Sequence, residues 1–436
     1  MAAAGGRGPA EGDSVRRAGW ITVLLAGLVV TLAALGAADG RMPAASAPPA
    51  PARLARGVAV RTFSSWLDEA AVQATTRAQW AAIARQDTII VLNSWDFRLI
   101  PFFKRANRRI HVWEYKDLSG VRSDDCTTRD GHCGACTQGV ADSALLSSGV
   151  GYCWVKRNHP HWLLRAAGTH QPFQFRGYPR VWEADYGSLA YQRQWIRNVL
   201  ADARDHGWDG VEVDNALTTA DAYGVAARYP TSAAVQAATY AALREVGPAL
   251  TGAGLASVFN VGYATAFPGL WQRWLRPVEG LEQEFYLSFS TQPDAVGAAW
   301  ARYQVEVSAC AAQRKTCWFH AGNYSAAVTA RTREYALASY LLATDGRQLL
   351  AVADMRSAQD APRWALGTPL GTMKQMGAAR ERYFSGGIAI ANPSDSPATA
   401  YLGGSYLDSG RPVSVVTLGP ASGLVLRAAA HGQKLR

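Results

Sequence analysis

From Val58 onward, short apolar runs of strand length alternate with amphipathic stretches of helix length. No other feature of the chain constrains its fold as much. The spacing predicts strands over Val58–Thr62, Thr88–Asn93, Ile110–Tyr115, Arg180–Asp185, Gly210–Asp214, Ala256–Val261, Gly280–Phe285, Cys317–Ala321 and Gln348–Val352. Helices are predicted over Trp66–Arg85, Leu189–Asp205, Ser232–Val246, Asp294–Ala312 and Thr332–Ala343. Strand–helix–strand units repeated in this way build a parallel sheet with helices outside it. Eight units close a barrel, and about 250 residues suffice for one, so 436 residues leave room for additions. Nine candidate strands leave one surplus, and Arg180–Asp185 is assigned to a functional loop. The expected fold class is α/β, a TIM-like (β/α)8 barrel over residues 57–384.

Two stretches break the rhythm. Lys116–Gly177, rich in Gly, Ser, Asp and Cys, reads as a disulfide-bearing loop insertion of the kind that carries function. Residues 385–436, with short apolar runs at Gly387–Ala391, Pro412–Leu418 and Gly423–Arg427, read as a small C-terminal β appendage.

The N-terminus places the folded part outside the cytoplasm. Residues 1–17 end in Arg16-Arg17, and a charge-free apolar run follows over 18–38, long enough to cross a bilayer. Positive charge ahead of such a run keeps the N-terminus in the cytoplasm. Residues 39–56 form an Ala/Pro-rich linker. The run is either a membrane anchor or a signal segment removed near Ala37 or Ala47. The protein is expected at the cell membrane with an extracytoplasmic domain, or secreted. The six cysteines fit an oxidising compartment. Cys310 and Cys317 form the obvious local pair, while Cys126, Cys133, Cys136 and Cys153 allow three pairings. A zinc site from His132 with Cys133 and Cys136 competes with this, but it lacks a second paired-ligand motif.

The charge of +10 is spread over scattered Arg residues without a like-charge block, so no nucleic-acid partner is expected. The 15 Trp residues serve either a large core or flat ligand faces such as sugars.

The chemistry centres on Gly207-Trp208-Asp209-Gly210-Val211-Glu212-Val213-Asp214-Asn215. Gly207 ends the preceding helix. Along the strand Glu212 and Asp214 point to one face, the barrel interior, and Asp214 lies at the carboxyl end, where parallel barrels carry their active sites. The pattern returns in Glu279-Gly280-Leu281-Glu282-Gln283-Glu284: acid, Gly, apolar, Glu, any residue, acid. Asp214 and Glu284 thus end two strands at one mouth. Two such carboxylates are the minimal set for glycoside cleavage, one donating a proton while the other attacks or activates water. Asn93, Trp95, Tyr115, Lys116, Asp117, Asp185, Asn215, Asn260 and His320 also lie at strand ends and, with Glu212, are candidates for binding sugar hydroxyls or stacking. His159-Pro160-His161 lacks a third metal ligand. The chain has no Gly-rich phosphate loop, no Gly-x-Ser-x-Gly elbow and no metalloprotease helix motif. Neither metal nor organic cofactor is called for.

The stretches Val112-Trp113-Glu114-Tyr115-Lys116-Asp117, Glu183-Ala184-Asp185-Tyr186-Gly187 with Tyr191-Gln192-x-x-Trp195, and Trp208 to Asn215 are similar to a group of TIM-barrel glycoside hydrolases, the hypothetical glycosyl hydrolase 15-like group. That group is distantly similar to endo-α-1,4-galactosaminidase-type enzymes. The resemblance covers roughly residues 58–355. It implies Asp214 as nucleophile or base and Glu284 as acid/base, with Glu282 a competitor for the acid role. It implies a reaction class and no particular sugar. The partner expected is a polysaccharide or oligosaccharide of the cell envelope or exterior. A glycan-binding protein on the same scaffold would keep the aromatic platforms without needing matched acids. A structural envelope protein would pair its carboxylates with cations.

Overall fold

A computed structural model describes residues 58–59, 61–123, 146–288, 293–322, 328–352 and 365–429. The segments 1–17, 18–38 and 39–56, and Cys126, Cys133 and Cys136, lie outside the described residues. Among the described residues, no helix is long and apolar enough to cross a membrane.

Eight parallel strands stand side by side in sequence order: β1 Phe63–Trp66, β2 Ile89–Leu92, β3 His111–Asp117, β4 Gly210–Asp214, β5 Ala256–Asn260, β6 Leu281–Gln283, β7 Trp318–Ala321 and β8 Leu349–Val352. The ring closes between its first and last strands. Arg61 bridges Leu349 in parallel, and the Leu350 amide donates to the Arg61 carbonyl at 2.9 Å. The fold is a TIM-like barrel.

Three expectations shift. The run predicted as Val58–Thr62 slides: Val58–Ala59 pairs antiparallel with Ala365–Gly367, and the barrel strand is the next stretch, Phe63–Trp66. The predicted helix Trp66–Arg85 divides into Glu69–Ala74, capped by the Asp68 carboxylate, and Arg77–Gln86, where Thr76 and Gln79 form a capping box. Two good caps within eight residues start two helices rather than one. The surplus strand, Val181–Glu183, pairs antiparallel with Gly120–Arg122 outside the barrel.

The described part of the insertion has more core than its composition suggests. Leu118, Val121, Val150, Val155 and Trp162 are buried in the main hydrophobic cluster. It is tied to the helix Leu189–His206 by Trp195, whose indole donates to the Asp117 carbonyl at 2.9 Å, and by Asn198, which donates to the Gly149 carbonyl at 2.7 Å. That helix ends, as expected, on Gly207 in the left-handed conformation (φ 79°). Cys310–Cys317 is a disulfide joining the end of the helix Gly297–Ala312 to β7, and Cys153 is disulfide-bonded as well.

The C-terminal sheet has six antiparallel strands: β9 Lys374–Met376, β10 Ala379–Phe384, β11 Gly387–Asn392, β12 Ala398–Asp408, β13 Arg411–Leu418 and β14 Ser422–Ala428. It begins ahead of residue 385. It packs on the helix Ala330–Ala343, with Gly423 against Ala338 and the Glu334 carbonyl. That contact explains why residues 335–342 are buried around the whole circumference of the helix.

Alternation along the strands sorts the barrel interior into layers. Phe63, Trp113 and Trp318 fill the floor, with ring centroids 4.6 and 4.8 Å apart. Two glycines sit where a side chain would not fit. A Cβ on Gly210 would meet the Trp113 ring, and one on Gly280 would fall within contact of the Thr316 backbone carbonyl. Since a backbone oxygen cannot rotate away, Gly280→Ala should destabilise the protein by about 2 kcal/mol, read as a lower denaturant midpoint at unchanged slope; an unchanged midpoint contradicts the packing described.

Candidate active site

The two echoing motifs take the same structural positions. Asp209 accepts the Val112 amide at 2.7 Å and Glu279 accepts the Ser257 amide at 3.2 Å, so each first acid anchors the neighbouring strand. Gly210 leaves room for the Trp113 ring, and Gly280 for the Thr316 backbone. Glu212 and Glu282 form a middle layer, 4% and 1% exposed. Asp214 and Glu284 stand half-buried at the mouth.

One side chain joins the two mouth carboxylates. The Asn260 amide nitrogen, at the end of β5, donates to Asp214 Oδ1 at 3.0 Å and to Glu284 Oε2 at 2.9 Å. Both bonds share one nitrogen, so these oxygens lie within about 6 Å of each other. Asp214 also accepts the Tyr115 hydroxyl at 2.5 Å and the Asn215 amide at 2.7 Å. Burial pushes its carboxyl above the ordinary range, and the bonds from Tyr115, Asn215 and Asn260 pull it back toward the ionised form. Asn215 sits at φ 58°, where its side chain donates to Asp117 Oδ2 at 2.8 Å and accepts the Tyr223 hydroxyl at 2.8 Å. Asp117, paired in register with Asp214, is a third carboxyl of the site. Burial first, then the Asp214 charge, pushes it up to about 7.

Beneath the mouth, Glu212 and Glu282 hydrogen-bond each other, and both are raised well above the carboxylate range. Burial is the largest cause for each. Two adjacent buried carboxyls disfavour each other's ionisation, which adds to the effect of burial. Glu282 therefore lies one layer below Glu284, away from the mouth. Among the described residues, no group of three or more His, Cys, Asp or Glu is arranged to hold a metal ion.

The remaining candidates divide. Asn93 faces the mouth end of the barrel and donates to the Leu67 carbonyl at 3.0 Å. His320 is fully buried inside the barrel, edge-on to Phe63. Trp95 lies on the β1–β2 side of the same end and donates to Glu69 at 3.0 Å. Lys116 is not brought to the site. Its strand position points outward, where it is fully buried against Glu114 (3.2 Å), Asp202 (2.8 Å) and the Leu146 carbonyl (2.8 Å). Adjacency to Tyr115 suggested the opposite; alternation decides it. Asp185 is likewise engaged elsewhere, by the Tyr229 hydroxyl and by Arg228 at 2.7 Å.

Sequence reasoning missed the aromatic rim. Tyr178 is 52% and Tyr263 56% exposed, and both phenols are raised in part by the Glu284 charge. Tyr223 stacks on Phe175 with ring centroids 4.1 Å apart. The available signal was a tyrosine beside a glycine in three loops: Gly177-Tyr178, Tyr223-Gly224 and Gly262-Tyr263.

Eight parallel strands closed into a ring, with carboxyl groups gathered at its carboxyl end, make the chain a TIM-barrel protein. It belongs to hypothetical glycosyl hydrolase family 15, whose profile matches residues 104–388. Among solved structures, Amy13B of Eubacterium rectale is similar at 12% identity, over 87% of this chain and 98% of that chain, with a TM-score of 0.50. A maltogenic α-amylase, AmyB, from Thermotoga neapolitana is similar at 9% identity, over 85% and 99% of the two chains, with a TM-score of 0.49. Aspergillus fumigatus Ega3, solved with galactosamine, is similar at 14% identity, over 69% and 93%, with a TM-score of 0.38. No curated protein matches the sequence.

Glu183, buried in the insertion hairpin, is pushed up to about 8, first by burial and then by the Asp117 charge. A raised carboxyl stabilises the fold fully below its unfolded value of about 4.3, and that stability is lost as pH rises through the folded value. The wild-type melting temperature should therefore fall more between pH 5 and pH 9 than that of Glu183→Gln. A gap between the two proteins that stays constant with pH contradicts this.

Proposed function

We propose that the chain hydrolyses a glycosidic bond of an extracellular or cell-envelope polysaccharide, with Asp214 as nucleophile and Glu284 as acid/base. The observation that carries this reading is the single Asn260 nitrogen bonded to both carboxylates. Sharing that donor brings the nearest oxygens of two acids from different strands within about 6 Å, which supports a retaining pair, about 5–5.5 Å apart, over the roughly 6.5–9.5 Å that an inverting enzyme needs to seat water. Among the described residues, no Lys or Arg neutralises Asp214, as a purely structural role would require.

In the first step, protonated Glu284 gives its proton to the glycosidic oxygen. An Asp214 oxygen bonds to the anomeric carbon as the carbon–oxygen bond to the leaving group breaks. In the second, ionised Glu284 takes a proton from water, whose oxygen attacks the anomeric carbon and releases Asp214. Tyr115 and the Asn215 amide orient Asp214 and stabilise its ionised form. The apolar run at 18–38 and the Cys310–Cys317 disulfide support a location outside the cytoplasm.

Asp214→Asn and Glu284→Gln should each lower kcat by about a thousandfold on whichever substrate the wild type cleaves, among a panel of chromogenic aryl glycosides and envelope polysaccharides, with unchanged circular dichroism. Full activity in Asp214→Asn rules the assignment out. Proton NMR of the first product formed should show the anomer of the substrate; the opposite anomer rules out a retaining pair.

A further inference from the structure

We infer that Tyr178 and Tyr263 are the two jaws of an aromatic clamp that holds a pyranose unit of an oligosaccharide over the carboxylate pair. The inference deepens the glycosidase reading of this mouth and rests on it.

Both rings are more than half exposed, which is uncommon for aromatic side chains of a large globular chain. Each jaw is braced through the residue that follows a mouth carboxylate. Tyr178 meets Tyr223 edge-on, with centroids 5.5 Å apart; Tyr223 donates to Asn215, the neighbour of Asp214. Tyr263 packs against Phe285, the neighbour of Glu284, with centroids 5.7 Å apart. The two jaws come from different parts of the chain, Tyr178 from the connection between β3 and β4, just past the insertion, and Tyr263 from the loop after β5. Burial first, then the charges of Glu284 and Asp214 and the nearby Tyr263, push the Tyr178 phenol up, in keeping with rings that stand near both acids.

The backbone supports the same conclusion. Tyr263 sits at φ 60°, in the left-handed region that an aromatic residue rarely adopts. Strain of this kind persists where the surroundings enforce it, and here it points a ring into solvent beside Glu284 instead of into the core. Solvent-facing rings with an apolar face and a polar tip match a pyranose, which presents an apolar C–H face and polar hydroxyl edges. The clamp also gives the connection between β3 and β4 a use: it supplies one wall of the binding cleft.

The test uses the full chain in two assays. In the first, Tyr178→Ala and Tyr263→Ala should each raise KM about tenfold on the oligosaccharide that the wild type cleaves, with kcat little changed. Tyr178→Phe and Tyr263→Phe, which keep the ring, should stay within about twofold. An unchanged KM in both alanine variants overturns the clamp. So does a fall in kcat at constant KM, which would make the rings braces for Asn215 and Phe285, and so does a loss in the phenylalanine variants equal to that in alanine. In the second assay, the chain carrying Asp214→Asn is bound to a microarray of defined pyranose oligosaccharides, with and without each alanine substitution. If the wild type turns nothing over but the array binds, the hydrolase reading fails and the clamp is still decided: binding lost in the alanine variants supports it, binding kept overturns it. No binding to any glycan overturns both.

Discussion

The Asn260 side chain, donating from one nitrogen to Asp214 and Glu284, is the contact on which the site depends. Without a donor between them, two carboxylates this close would repel, and one would turn away or take a proton. With it, one donor nitrogen holds an oxygen of each. Asn260 can do this because it ends β5, the strand between those that lead to the two acids. Barrel closure thus fixes the order acid, amide, acid around the mouth. The same order explains why the layer below is acidic as well: each motif that delivers a mouth acid also delivers Glu212 or Glu282 two residues earlier.

That lower layer is costly. Burial and mutual proximity push both of its carboxyls well above the ordinary range, which lowers the cost of keeping them from water. Asp117 and Glu183 add two more raised carboxyls on the insertion side. Burial thus pushes the carboxyls of this interior upward, and at Asp214 the donors Tyr115, Asn215 and Asn260 oppose that shift.

The motif around Asp214 could be read from sequence because strand alternation is strictly local. Two acids two residues apart must share a face, and the face was right. The echo at Glu279–Glu284 was legible for the same reason: its first acid accepts a neighbouring strand's amide as Asp209 does, and Glu282 is buried as Glu212 is. Lys116 shows the limit of reading by adjacency: it follows Tyr115 and ends an apolar run, yet its parity turns it toward Glu114 and Asp202. Val58–Ala59 was illegible for another reason, since its partner, Ala365–Gly367, lies at the far end of the chain and no local pattern announces it. The rim tyrosines belong to loops whose side chains follow no period. Their exposure and ring contacts appear only once the loops are folded.

The central claim is that Asp214 attacks the anomeric carbon with Glu284 beside it. Trapping tests it most directly. The wild type is mixed with substrate, quenched in acid within the first turnovers, digested, and its peptides weighed. The account predicts that the peptide containing Asp214 gains the mass of one glycosyl unit in ester linkage, and that the gain vanishes in Asp214→Asn. A glycosyl ester on Glu284, or hydrolysis through which no peptide ever gains mass, would contradict it.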